Sequence, residues 1–279
     1  MRMVRAVFSH GSGRIGGAIV GFYLLVAVLG MVGLTPHDPL AQFRIDRLHA
    51  PSAAYWMGTD LFGRDVASRL MVGVGQSFIV AFLSVAFASL AGTVLGLAAA
   101  WLGRRWDGIV MRVMDVLLAF PAILLALLIV AVAGPGTWTS VVAIGIVYTP
   151  IFTRIVRGPA LSLKAREFVD AARTFGSSTH YIVTRHLLLN LVAPLTVQVT
   201  LALAWALLTE AGLSFLGLGT QPPAASLGLM LSDSRKLMET APWLMIFPGL
   251  AIMISILGFN LLGDALRDIL DPRTRRSPA

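Results

Sequence analysis

Charged positions cut the chain into long apolar stretches, and the lengths of those stretches set the architecture. A helix needs about 20 apolar residues to cross the roughly 30 Å hydrocarbon core, so each stretch of that length without Asp, Glu, Lys, Arg or His is a predicted span. Six crossings result. The first lies between Arg14 and His37, the second between Arg69 and Arg104, and the run 116–153 holds two, divided by Gly134-Pro135-Gly136. The fifth lies between His186 and Glu210, and the last between Glu239 and Asp264, where Pro242-Trp243 brings an indole to the interface. The run 211–232 is also long enough, but Gly217, Gly219, Pro222 and Pro223 interrupt it. It is expected to be an extracytoplasmic loop or a short re-entrant piece. No secretory cleavage pattern precedes the first span, which should therefore be retained. Two small-residue strips, Gly17-x-x-x-Gly21 and Gly92-x-x-x-Gly96, predict close helix packing within the subunit.

Composition agrees with a membrane protein and removes most other classes. Of 279 residues, 57% are hydrophobic and 13% charged, whereas soluble domains carry about 25% charged residues. The mean hydropathy is +0.81. There is no cysteine for a disulfide, redox or thiolate-metal role. The net charge of +8 reads as topology once it is placed along the chain. With the N-terminus inside, sixteen of the 22 basic residues fall on inner segments (1–14, 103–115, 154–186 and the tail) and six on outer ones, while acids divide seven and seven. Both termini are therefore predicted to be cytoplasmic, and no nucleic-acid footprint is implied. The organisation expected is a cytoplasmic N-terminus at 1–14, a transmembrane domain at 15–265 and a cytoplasmic tail at 266–279. The domain includes an outer segment at 35–70, an inner loop at 154–186 and an outer loop at 211–242.

Chemical motifs are conspicuous by their failure. Gly11-Ser12-Gly13-Arg14-Ile15-Gly16 fits GxGxxG, but no strand precedes it and a span follows. No GxxxxGK[ST] occurs, so any ATP must be hydrolysed by another subunit. His10, His37, His49, His180 and His186 form no metal-ligand spacing, and no GxSxG is present. No catalytic residue and no metal site is expected, which argues against a membrane enzyme; a channel would want pore-lining charged rings or a filter motif, and neither appears. A stand-alone secondary transporter, the competing class, would be expected to show internal repeats and mid-membrane ionisable or broken-helix sites; the spans here are nearly free of charge and no halves visibly repeat.

The inner loop at 154–186 is the most informative segment. It is too polar to span. Glu167, Asp170, Ala171, Ala172 and Arg173 read as helix, Gly176-Ser177-Ser178-Thr179 as a break, and Tyr181-Ile182-Val183 as the start of a second helix entering the membrane. Two short helices at a bend make a knob. Small Ala171 and Ala172 admit a close surface, and Gly176 permits a sharp turn. An amphipathic helix on the inner leaflet is the alternative.

Asp170-Ala171-Ala172-Arg173-Thr174-Phe175-Gly176, followed by Ile182 and Arg185-His186-Leu187-Leu188, closely resembles the EAA loop of bacterial ABC importer permeases. Asp170 stands for the family's Glu, and Leu189 for its usual Pro. The resemblance continues in Gly58-Thr59-Asp60-Leu61-Phe62-Gly63-Arg64-Asp65-Val66-Ala67-Ser68-Arg69, in Asp107, Met111-Arg112, Asp115 and Ala119-Phe120-Pro121, and in Leu213 to Gly219 with Pro222-Pro223. Leu227 stands where Trp is usual. The ending, Asn260 to Asp268 with Leu270-Asp271-Pro272-Arg273, resembles the C-type subunit of the dipeptide, oligopeptide and nickel branch.

The resemblance implies an all-α type I importer fold of six transmembrane helices with a cytoplasmic coupling helix. It implies a heterodimer with a B-type permease, two cytoplasmic ABC ATPases that bind ATP and Mg, and an extracytoplasmic binding protein, all at the bacterial cytoplasmic membrane. No cofactor is expected on this chain. The implied solutes are di- or oligopeptides, with nickel complexes, glutathione and other peptide-like solutes as alternatives. Glu167, Asp170, Ala171, Ala172, Arg173, Gly176, Ile182 and Arg185 would couple the spans to the ATPases. Glu210, an acid at the outer end of the fifth span, is a candidate for the translocation path or outer gate together with Ser214 and Phe215. A structural partner in the neighbouring loop is the competing role for Glu210. Asp60, Arg64, Asp65 and Arg69 either satisfy one another or receive the binding protein. Asp115, at a membrane edge near Arg112, is expected in an ion pair or at a helix end.

Overall fold

The computed structural model describes residues 10–270, and among these it holds helices and no strand beyond one isolated bridge between Thr59 and Asp65. The helices are α1 (Gly11–Met31), α2 (Val66–Leu102), α3 (Arg104–Leu118), α4 (Ala122–Ala133), α5 (Thr137–Lys164), α6 (Glu167–Thr174), α7 (Thr179–Phe215), α8 (Leu227–Ser234) and α9 (Trp243–Leu270). Arg2, Arg5, Arg273, Arg275, Arg276 and the Asp271-Pro272-Arg273 ending lie outside the described residues.

Among the described residues, five helices are long and apolar enough to cross a membrane: α1, α2, α5, α7 and α9. The third crossing differs from expectation. Instead of one continuous span, α3 and α4 meet at a 93° bend at 119–121. Pro121, which cannot donate in a helix interior, caps α4. At about 1.5 Å per residue, the 12-residue α4 reaches only ~18 Å, short of the hydrocarbon thickness. The inner segment 103–115 is thus largely helix. Arg157 bonds Asp107, and Arg154 approaches Asp115 at 2.6 Å, fastening α3 to α5. Asp115 therefore pairs with Arg154 rather than with its helix neighbour Arg112.

The inner loop is shorter than 154–186. α5 continues past Arg154 to Lys164, and α7 begins at Thr179, leaving 165–178 outside the two long helices. Both α2 and α7 have 37 residues, about 55 Å of helix, so each projects beyond the hydrocarbon. Lys164 donates from Nζ to the carbonyls of Ala100 and Trp101 at 2.8 and 3.0 Å, where a cation suits the C-terminus of α2.

α2 and α5 pack most intimately, through one of the two predicted glycine strips. A Cβ on Gly92 would lie 2.4 Å from Phe152 Cβ, and one on Gly96 2.7 Å from the Thr153 carbonyl. The other strip is displaced. Gly16, not Gly21, meets α9, with Leu262 N 2.7 Å from its would-be Cβ, while Gly21 faces open space.

Candidate functional site

At the inner end, α6 is a short helix with a buried foot and an exposed crown. Val169 and Ala172 are 0% and 9% exposed and pack on Leu97, Val156, Ile182 and Leu187. Three helices thus hold the knob by apolar contact. Glu167 and Asp170 lie in its first turn, where carboxylates suit the helix N-terminus. Glu167, Asp170, Ala171, Arg173, Gly176 and Arg185 are exposed. The predicted coupling residues therefore divide into two supports, Ala172 and Ile182, and six that reach the surface.

Arg173 is less free than its exposure indicates. Its guanidinium lies 4.9 Å from the Trp101 ring centroid and 3.4 Å from Asp170. Gly176 has φ +77°, a left-handed conformation that side chains adopt at a cost, although a Cβ there would meet nothing within 4 Å. Its amide bonds the Arg173 carbonyl and that of Ser177 bonds Ala172, closing the end of α6. Ser178 then caps α7, accepting from the Tyr181 amide. α7 passes Leu189 without a break, and its irregularity is the π segment Ile182–Leu188. Sequence reasoning left out Phe175, which is 89% exposed at the tip. An aromatic beside the turn glycine was the available signal.

At the outer end, the chemistry turns inward. Glu210 is fully buried on α7, and Ser214 Oγ donates to its Oε1 at 2.7 Å. The hydroxyls of Ser77 on α2 and Ser226 at the cap of α8 face the same carboxylate. Each of these three oxygens also accepts an amide from the outer segment: Thr220 to Ser214 at 3.1 Å, Leu227 to Ser77 at 3.1 Å and Leu229 to Ser226 at 3.2 Å. Amide, hydroxyl and carboxylate form one complete relay, Thr220 to Ser214 to Glu210, and the other two amide-bonded hydroxyls stand beside the same side chain. Gly219 and Gly228 permit this approach, since Cβ atoms there would sit 2.0 Å from Ser214 Oγ and 2.3 Å from the Ala211 carbonyl. Glu210 and Ser214 thus line no open passage within this chain, and Phe215 is half-buried with Arg235 5.7 Å from its ring. Ser77 and Ser226 carry no sequence signal that would join them to Glu210, because only folding brings them together.

The charges before α2 are also engaged. Asp60 accepts from Arg64 Nε at 2.6 Å and from the amides of Phe62 and Arg64, while Arg69 Nε is 3.7 Å away. Asp65 caps α2 by accepting from the Ser68 amide. Arg64, Asp65 and Arg69 are 8%, 2% and 2% exposed, so the exposed tip of this loop is Leu61 and Phe62.

Residues 92–276 match the family described as the binding-protein-dependent transport system inner membrane component. The chain belongs to this family. Among its relatives, the dipeptide transport system permease protein DppC of Alkalihalophilus pseudofirmus is 44% identical over 94% of this chain and 86% of its own. The probable D,D-dipeptide transport system permease protein DdpC of Escherichia coli is 40% identical over 92% and 86%. The glutathione transport system permease protein GsiD of Pectobacterium atrosepticum is 44% identical over 87% and 81%. Among solved structures, a chain of the inward-facing MetNI methionine ABC transporter superposes with a TM-score of 0.59, at 19% identity, over 72% of this chain and 96% of that one. That likeness bears on the fold. The chain is accordingly an inner-membrane permease with the fold of an ABC importer permease.

Proposed function

We propose that this permease is the C-type subunit of an ATP-driven importer that carries di- and oligopeptides inward by alternating access. Its partners are a B-type permease, two cytoplasmic ATPases that hold ATP and Mg, and an extracytoplasmic binding protein. The observation that carries the reading is the knob: an exposed helix bearing Glu167, Asp170 and Phe175, seated by Val169 and Ala172 on the inner ends of α2, α5 and α7. An apolar foot on three helices passes force to them, and an exposed crown gives the ATPase a surface to grip. Coupling of this kind needs contact with an element that has two arrangements, here the spans. The peptide class rests on relatives named for dipeptides; the relative named for glutathione keeps that tripeptide-like solute as a second reading.

Affinity purification in mild detergent, followed by ATPase assay with the binding protein present, tests the proposal. Recovery of a second permease and ATPases, with turnover stimulated by dipeptides more than by glutathione, is expected. A chain that purifies alone and moves solute without ATP would return the reading to a secondary transporter.

A further inference from the structure

A cavity of about 190 Å³ opens on the outer face between the loop before α2, α8 and the start of α9. Two guanidiniums border it, and they are not equally satisfied. Arg64 has Asp60 at 2.6 Å and the Phe62 ring at 4.7 Å. Arg69, 2% exposed, reaches Asp60 only at 3.7 Å and the Pro39 carbonyl at 3.5 Å. Both distances are long beside the ~2.7–2.9 Å of a charge-assisted hydrogen bond. A buried guanidinium with five donors and such loose partners is set to receive an oxyanion. Across the cavity, Asp233 stands at the exposed mouth, in electrostatic reach of Arg69 and Arg64 but in no ion pair within 4 Å among the described residues. The wall between them is apolar: Met230, Leu237 and Leu244.

We propose that this cavity is a peptide-end site: Arg69 takes a free C-terminal carboxylate, Met230, Leu237 and Leu244 take the last apolar side chain, and Asp233 takes the ammonium of a dipeptide. Volume limits the occupant to a dipeptide or the end of a longer chain. Sites that enclose drug-sized ligands run to about 300–1,000 Å³, and this one is smaller. Net neutrality of Asp60, Arg64, Arg69 and Asp233 favours a zwitterion over a simple anion. The inference rests on the peptide reading above and adds a place on the permease itself where the solute is held.

The test uses the full chain in nanodiscs with its copurifying partners and no binding protein. Calorimetric titration compares Ala-Phe, its C-terminal amide and N-acetyl-Ala-Phe. The acid should bind at least tenfold more tightly than the amide. Asp233→Asn should weaken Ala-Phe several-fold while sparing N-acetyl-Ala-Phe, which has no ammonium to lose; a merely structural defect would weaken both alike. Leu237→Trp should fill the cavity and abolish binding of all three. Equal affinity for acid and amide, equal loss of both ligands in Asp233→Asn, or undiminished binding in Leu237→Trp overturns the site. Uptake measured in parallel separates the two claims. Dipeptide uptake without this binding ends the site and keeps the importer reading, whereas acid-selective binding without uptake of any peptide keeps a carboxylate site and ends the peptide reading.

Discussion

The two ends of the permease are built by opposite means. At the inner end, α6 is held by apolar contact and leaves its polar and aromatic residues outside; at the outer end, 216–229 is held by hydrogen bonds to serine hydroxyls gathered about a buried carboxylate and leaves its polar groups inside. Apolar contact is non-directional, so the knob can shift a little on its foot as a partner pulls it. A buried polar network favours one arrangement, because displacement strands its bonded donors and acceptors in a medium that cannot replace them. One end is therefore suited to receive motion and the other to carry it without deforming.

The largest expected effect comes from breaking the outer network. Glu210→Ala leaves the buried Ser214 hydroxyl without its acceptor, and at ~1–3 kcal/mol for an unsatisfied buried group a loss of about that size follows. Thermal melting of the purified chain should fall sharply, with Glu210→Gln intermediate, since the amide keeps one acceptor oxygen. An Ala variant that melts with the parent would remove the contrast between the two ends.

Next is Gly176, where the expected loss is of transport rather than of fold. The left-handed backbone costs an ordinary residue about 1–2 kcal/mol, and more for a β-branched one. Gly176→Val should abolish uptake while leaving membrane levels intact. Gly176→Asn sharpens the cause, because Asn tolerates this conformation. Uptake restored by Asn makes backbone shape the requirement; uptake still lost makes it the space beside the turn that a partner fills.

Phe175→Ala sharpens the comparison from the other side. At 89% exposure the ring supports nothing within the chain, so stability should change by no more than about 0.5 kcal/mol. As an aromatic anchor in an interface it should cost at least about tenfold in ATPase association, read by copurification or by titration of the purified ATPase. Retained association would move the grip to the carboxylates of α6.

Much of this contrast is legible in the chain before folding, and what is not has a physical reason. Charge-free lengths locate the long spans, since the bilayer demands length and apolarity of each separately. The 93° bend escaped because 116–153 is apolar throughout, and Pro121 alone does not say whether a helix kinks or stops. The knob is local in sequence, so Glu167 to Arg185 can be read as a unit. The outer network is not local. Ser77 lies 133 residues from Glu210, and nothing short of the packed helices joins them. Glycine strips were half legible: Gly92 and Gly96 meet α5, whereas α1 presents Gly16 rather than Gly21, because small-residue spacing does not fix which face of a helix is buried.

The smallest expected effect concerns the two ion pairs that fasten α3 to α5, and it sets the boundary of the inner end. Arg154 and Asp115 are 51% and 60% exposed by side chain, so water screens their attraction as it does for surface pairs, worth ~0–1 kcal/mol. Arg157 and Asp107 are 29% and 22% exposed and share two hydrogen bonds, a geometry that resists screening. Asp115→Asn should therefore leave melting and uptake nearly unchanged, and Asp107→Asn should lower the melting temperature measurably. A larger effect at Asp115 would mean that a neighbouring subunit covers this pair, extending the inner partner surface from α6 to the far end of α3.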